Sequence, residues 1–402
     1  MIAYLPYKRI QLTMMKNKIV FLIRDLNYGG AQRQLVTLVK GMDKKLFDIS
    51  VVCMYSGGSL EKDLTDSNIS LICLNKQGRW YIASFIWQLI KTIKNINPNV
   101  LHGYLGDANL LCIFLKLFLP STTIIWGIRD SITDKQTLDW LQNILFNFEC
   151  IFSRFADLII VNSHAGKKHY SKQKFATEKM LVIPNGIDIQ RFQPHEKACL
   201  IRLEWGVSQD TVLIGLVGRL HPMKDYPTFF QAAKILCKNE NIRFVCVGNG
   251  FKDYTEKLHQ LTEDLGISQK VIWAGGRADM CAVFNALDIV VSASAYGEGF
   301  PNVIGEAMAC GIPCVVTDVG DSAWIVGDLG IVVEPQNPEA LAAGCSSLMK
   351  LNLADKIALK DKARLKIVQN FSVEKLVEKT QFHLLNLKAT DFSVNFIASE
   401  CD

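Results

Sequence analysis

The chain of 402 residues is longer than one hydrophobic core usually supports, so it reads as two domains. Its net charge of +5, from 44 basic and 39 acidic side chains, is too small and too dispersed to argue for nucleic acid as a partner. With 49% apolar and 21% charged residues the composition is ordinary for a soluble globular protein, and the longest apolar run, NLLCIFLKLFLP, is too short to span a bilayer and contains Lys116.

The opening MIAYLPYKRIQLTMMKNK lacks the apolar core and small-residue cleavage site of a signal peptide, and a start at Met14 or Met15 would fall just before the first strand. From Lys16 onward, short β-branched and apolar runs alternate with amphipathic stretches of helical length. The first half offers strands at KIVFLI, ISVVCMY, ISLICLN, NVLHGY, TTIIWGI, DLIIVNS and MLVIPNG. The second offers TVLIGLVG, IRFVCVG, VIWAG, DIVVSAS, PCVVTDVG and GIVVEP. Continuously apolar strands separated by helices imply parallel sheets covered on both faces, hence two successive doubly wound α/β domains. The turn-rich, charged stretch NGIDIQRFQPHEKACLIRLEWGV separates them, giving domains over 1–195 and 196–370, a helix over 371–388 and a tail over 389–402. The 12 cysteines sit mostly in apolar runs and read as reduced core residues. Cys310 and Cys314, the only pair close in sequence, have no companions at zinc spacing, so no metal site is expected.

In such folds ligands bind beyond the carboxyl ends of the strands, where helix N-termini receive anions, and two facing domains place the site in the cleft between them. In LNYGGAQRQL, after the first strand, Gly29 and Gly30 open a helix and admit a ligand close to the backbone; a tight turn explains them equally. Neither this loop nor VGNGFKDY has the G-x-G-x-x-G spacing, which disfavours a nicotinamide oxidoreductase. After TVLIGLVG, Arg219 and Lys224 stand five apart, where both can reach one diphosphate or simply face solvent. In SAYGEGFPNVIGEAMACGIPCVV (294–316), Gly297 and Gly299 permit a tight loop and Pro301 suits a first helical position. The helix is expected from about Asn302 to Cys310, stopping at Gly311. Its free N–H groups would point into the cleft, a site for phosphate. Asn302 and Glu306 share one face, while Glu298 stays on the loop. Taken singly, Glu298 is a solvated loop acid and Glu306 a carboxylate favoured by the helix dipole.

Together they form a pattern. Glu, seven residues, Glu, with GFPN after the first acid and AMACGIP after the second, resembles the signature of the retaining glycosyltransferases of family four, which have the GT-B fold. GGAQR, PNGID, VGRLHPMKD, VGNG and FSVEKLVEKT extend the resemblance over most of the chain. It implies two Rossmann-like domains facing across a cleft, the first binding acceptor and the second nucleotide sugar, with the 371–388 helix packing back on the first. Arg219 and Lys224 would then bind the donor diphosphate, with Gly30 and the backbone around Gly299, Phe300, Pro301 and Asn302. Glu306 would hold the ribose, Glu298 the transferred sugar, and Gly275 and Arg277 in AGGRADM the base. His102 in VLHGY and Arg129 in WGIRDS would end adjacent strands over the cleft. His102 is a candidate catalytic contact that reads equally well as structural, and Arg129 departs from the histidine that many relatives use to touch the sugar.

The activity so implied is transfer of a sugar from a nucleotide diphosphate donor, UDP-linked, to an acceptor hydroxyl in bacterial cell-surface polysaccharide or lipopolysaccharide synthesis. Arg219, Lys224 and Glu298 would carry the catalysis, with no cofactor or metal; no Asp-x-Asp motif stands at the phosphate loops. The runs YIASFIWQLIKTIKN and NLLCIFLKLF make the first domain apolar and basic. That suits a glycan or lipid-linked acceptor at the cytoplasmic face of a membrane, and buried helices explain the same residues. An inactive sugar-nucleotide-binding subunit and a sugar-nucleotide epimerase are the alternatives; donor hydrolysis with and without acceptor separates transferase from epimerase.

Overall fold

The computed structural model describes residues 16–76, 81–129, 140–195, 198–238 and 241–387. The start at Met14 or Met15 and the 389–402 tail lie outside them. Every run expected to be a strand forms one. β1 (Asn17–Ile23), β2 (Phe47–Cys53), β3 (Ser70–Cys73), β4 (Val100–Tyr104), β5 (Thr123–Ile128), β6 (Leu158–Val161) and β7 (Met180–Val182) make a parallel sheet in the order β3-β2-β1-β4-β5-β6-β7. β8 (Val212–Val217), β9 (Ile242–Val247), β10 (Val271–Gly275), β11 (Ile289–Ser292), β12 (Cys314–Thr317) and β13 (Ile331–Val333) make a second, in the order β10-β9-β8-β11-β12-β13. The chain reverses direction across each sheet between β1 and β4, and between β8 and β11. Ligands of doubly wound sheets bind at these switch points.

The strands read as unbroken apolar runs because both faces are covered: residues 19–23 of β1 have no exposure at all. On one face of the first sheet Val20, Leu22, Leu101 and Trp126 pack under helices Ile82–Ile96, Gly106–Lys116 and Trp140–Phe152. On the other, Ile19, Phe21 and Ile125 pack under helices Gly30–Gly41 and Val373–Asn386. The second sheet sits between helices Asn302–Ala309 and Leu353–Asn370 on one face and Tyr226–Leu236 and Pro338–Met349 on the other.

The chain crosses between the sheets twice, once after β7 and once on entering helix Val373–Asn386. The two crossings lie side by side. Ile187 N–H donates to the Phe371 carbonyl at 2.7 Å, and Val373 N–H donates to the Ile187 carbonyl at 3.1 Å.

Candidate functional site

Two helices begin at the cleft from opposite sides. Helix Gly30–Gly41 starts after extended Gly29, and helix Asn302–Ala309 starts after Pro301; neither start has a side-chain cap. Pro301, with ψ of 97°, stands just before the helix and not in its first turn, one residue away from the position its missing N–H suggested. A Cβ on Gly30 would lie 3.9 Å from the side-chain Nδ2 of Asn302, so the two starts face each other. Their unsatisfied N–H groups and positive dipole ends converge on one space.

Glu298 is buried beside that space. It accepts from Ser294 Oγ at 2.6 Å and pairs with Lys224 Nζ. Local structure fixes both partners. Gly320 (φ +65°) lies against the Glu298 loop, where a Cβ would stand 2.7 Å from Glu298 Cβ, so that crossing needs glycine. Lys224 ends a short turn begun by His221, whose Nδ1 accepts from Met223 N–H, and Asp225 then caps helix Tyr226–Leu236 through Thr228. Ala295 N–H donates to the Met223 carbonyl at 2.9 Å, joining the lysine turn to the Glu298 loop. Arg219 is exposed on the same loop as Lys224. Burial, with Arg219 and Lys224 adding to it, holds the His221 imidazole below its ordinary range.

Glu306, also buried, accepts from Arg33 Nη2 at 2.8 Å across the cleft. The pair lines a cavity of about 410 Å³ that Tyr28 and Arg191 also reach. Arg129, directly after β5, donates from Nη1 to Asn185 Oδ1 at 3.2 Å, and Asn185 donates in turn to Asn302 Oδ1 at 2.9 Å. Arg129 Nε and Nη2 are buried without a hydrogen-bond partner among the described residues. Asp321 accepts from the N–H groups of His164 and Ala165, both at 2.8 Å, so a carboxylate of the second domain caps helix His164–Lys172 of the first. Burial pushes that carboxyl up against the pull of the two amides.

The expected placement of His102 over the cleft is not found. It lies mid-strand in β4 with no exposure, between the rings of Phe21 and Tyr104, because a side chain two residues short of the strand end falls on a helix-covered face. Burial, reinforced by the Arg129 charge, holds its imidazole well below the ordinary range. Arg277 is engaged by Glu204 and, at 2.7 Å, by Asp279. Gly275 takes φ of +63° at the end of β10, an edge strand, and its carbonyl accepts from Gly248 N–H. Phe300 is a packing residue, 6.4 Å from the Trp324 ring and 5.6 Å from Phe371, so only its backbone is available to a ligand.

Sequence reasoning passed over Arg33, Asn185, Ser294 and Asp321. Arg33, Asn185 and Asp321 stand inside motifs that carry the family resemblance, GGAQR, PNGID and the TDVGD that closes the two-acid stretch, and that was the available signal; Ser294 carried none. Nor did spacing reveal Cys53 and Cys73, whose sulfurs lie 2.9 Å apart across β2 and β3, with a Glu61 carboxylate oxygen within 4.8 Å. Strand pairing, not sequence proximity, brings them together.

The description Glycosyltransferase Family 4 fits residues 28–191, and Glycosyl transferases group 1 fits residues 211–350. The chain belongs to the family-four glycosyltransferases of GT-B fold. This glycosyltransferase is 24% identical over 364 residues to the UDP-Gal:alpha-D-GlcNAc-diphosphoundecaprenol alpha-1,3-galactosyltransferase of Escherichia coli, covering 87% of this chain and 92% of that one. It is 22% identical over 319 residues to the putative glycosyltransferase EpsF of Bacillus subtilis, covering 75% and 79%. Among solved structures, Alr3699/HepE of Anabaena in complex with UDP superposes with a TM-score of 0.80 at 22% identity, over 92% of this chain and 100% of that one. The same Anabaena protein is also solved with UDP-glucose.

Proposed function

We propose that this glycosyltransferase moves a hexose from a UDP-linked donor to a hydroxyl of a lipid-linked or glycan acceptor, with retention at the anomeric carbon, in the synthesis of cell-surface polysaccharide or lipopolysaccharide. The observation that carries the reading is the facing of two uncapped helix starts, Gly30 and Asn302, the second preceded by the Glu298 loop whose partner Lys224 shares a loop with the exposed Arg219. Departure of the leaving group builds negative charge on a diphosphate, and donors already oriented toward that position stabilise it with little rearrangement. Arg219 and Lys224 bind the diphosphate, with N–H groups from Gly30 and the Gly299–Asn302 segment; Pro301 itself contributes none.

Glu306 takes the ribose, with Arg33 shared between its carboxylate and the nucleotide. Glu298, held by Lys224 and Ser294, meets hydroxyls of the transferred sugar, and Arg129 approaches that sugar from the first domain. The base lies along Gly275 and Arg277. Among the described residues of the first domain no side chain stands out as a nucleophile, which favours same-face attack in which the departing phosphate oxygen takes the acceptor proton. The printed name of the Escherichia coli relative supports the UDP donor and the lipid-linked acceptor, and the UDP complexes of the Anabaena protein support the nucleotide. A lipid-linked acceptor would bring the enzyme to the cytoplasmic face of a membrane as a peripheral protein; no helix of the described residues is long and apolar enough to cross one. The test is a thermal-shift screen of UDP, ADP and GDP sugars, followed by transfer assays with the anomeric configuration of the product read by proton NMR. An inverted product, or stabilisation by purine nucleotides alone, would overturn the reading.

A further inference from the structure

The helix face of the first sheet is polar at one end and apolar at the other. At the carboxyl edge, the start of helix Gly106–Lys116 and the Gln142–Glu149 stretch of helix Trp140–Phe152 line a cavity of about 280 Å³ with Arg24, Asp25 and Asp107. Farther along the same two helices runs a groove of about 500 Å³, walled by Leu110, Phe114, Leu117, Phe148, Phe152 and their apolar neighbours, with no polar side chain. Of its lining, Leu117 is 77%, Phe155 52% and Phe148 46% exposed. Large apolar side chains exposed together along one groove, and not scattered singly, mark a surface that something covers.

The charges around the groove select what covers it. Helix Ile82–Ile96 carries no acid, and its Lys91 and Lys94 lie 5.0 Å from the Trp87 ring and 5.3 Å from the Phe118 ring. The acids of the other two helices, Asp107 and Glu149, are both at the polar end, and Asp157 nearby is paired with Lys116 at 2.7 Å. A second copy of this chain would set these lysines against their own kind, whereas anionic lipid headgroups neutralise them. From Asp107 to Leu117 is ten helical residues, about 15 Å.

We propose that the groove between helices Gly106–Lys116 and Trp140–Phe152 receives the hydrocarbon chain of a lipid-linked acceptor at an anionic membrane surface, with the acceptor's polar head in the Asp107–Glu149 cavity at the cleft end of the same pair. This rests on the acceptor class proposed above. It adds the surface: a soluble glycan would use the polar cavity alone.

The test measures co-sedimentation of the full chain with phosphatidylglycerol–phosphatidylcholine vesicles and with pure phosphatidylcholine vesicles, at low and high salt, beside calorimetric titration with UDP. The variants are Leu117→Ser with Phe148→Ser and Phe155→Ser, all at exposed positions, and Lys91→Glu with Lys94→Glu. The wild type should bind the anionic vesicles, less at high salt, and each variant should lose tenfold or more of that binding while keeping its UDP affinity. Wild-type vesicle binding in the serine variant, or no vesicle binding by the wild type, overturns the proposal. So does a wild-type dimer that the serine variant breaks, read by light scattering, because the groove is then filled by a second copy. Vesicle binding that depends on the groove in a protein that binds no UDP would sink the donor reading and leave the surface standing.

Discussion

If the two buried acids divide one donor between them, Glu306→Gln and Glu298→Gln should behave as opposites toward free UDP. Glu306 accepts one charge-assisted bond from Arg33, and the proposed ribose contacts fall on the same carboxylate. Hydrogen bonds to charged groups are worth about 1.5 to 3 kcal/mol, so UDP affinity should fall roughly 10- to 150-fold in Glu306→Gln. Glu298 holds the Lys224 ammonium, and a diphosphate must share that cation with a carboxylate. Removing the carboxylate's charge frees Lys224 and removes a like charge from the diphosphate's neighbourhood, so UDP should bind Glu298→Gln as tightly as wild type or tighter. Transfer should still fall by at least about tenfold, equivalent to about 1.4 kcal/mol of transition-state stabilisation, because the sugar contact is weakened. Stability offers an independent check: Lys224 would be left a nearly unpaired buried cation, so the thermal midpoint should drop without UDP and recover with it. Calorimetric titration with UDP, thermal unfolding with and without UDP, and steady-state transfer read all three. Equal losses of UDP affinity in the two variants would refute the division of roles.

Arg219→Ala and Lys224→Ala should each weaken UDP binding by about tenfold or more in the same titration, as expected for loss of one charge-assisted contact. His102 gives a pH signature. Its imidazole is held well below 6.5 by burial and by Arg129, so below pH 6.5 the unfolded chain takes up a proton that the folded one does not. Its contribution is intact above that pH and is lost as pH falls from 6.5 toward the depressed folded-state value, at up to about 1.4 kcal/mol per pH unit. His102→Leu should therefore lose less stability than wild type between pH 7 and pH 5 in urea unfolding; parallel pH profiles would contradict it. Asp321→Ala removes the acceptor of the His164 and Ala165 N–H groups, leaving Ser163 as the cap of helix His164–Lys172, and should cost about 1 kcal/mol, read as an earlier urea midpoint.

The fold was legible because a strand buried on both faces has no choice of side chains: KIVFLI or TVLIGLVG carries its burial in composition alone. The two acids were legible because glycine, proline and the Glu spacing mark a loop that turns into a helix. What stayed hidden was pairing across long separations. Arg33 and Glu306 are 273 positions apart and meet only across the closed cleft, while Lys224 and Glu298, 74 apart, meet only when the loops of the second domain fold together. His102 was misplaced for a different reason. Alternation decides which face a strand residue takes, but in a run apolar on both faces no alternation shows in the sequence.

The side-by-side crossings at Ile187 and Phe371–Val373 work like the two knuckles of a door hinge, leaving rotation about one line as the cheap motion. Contacts that such a rotation would part, Arg33 with Glu306, Asn185 with Asn302, and Asp321 with its helix, are polar, and water replaces each of them when the door swings. Among the described residues the apolar contact at those points is small, the His164 ring against Trp324 at 4.7 Å, so the angle of the door is set by small differences and not by the bulk of either leaf. The pin also touches the working part: a Cβ on Gly305 would come within 2.8 Å of Ile187, which seats the hinge directly on the helix that begins at Asn302. An anion that pulls on that helix start therefore has its leverage at the pivot, and solution scattering with and without UDP would read the change as a smaller radius of gyration when the nucleotide is bound.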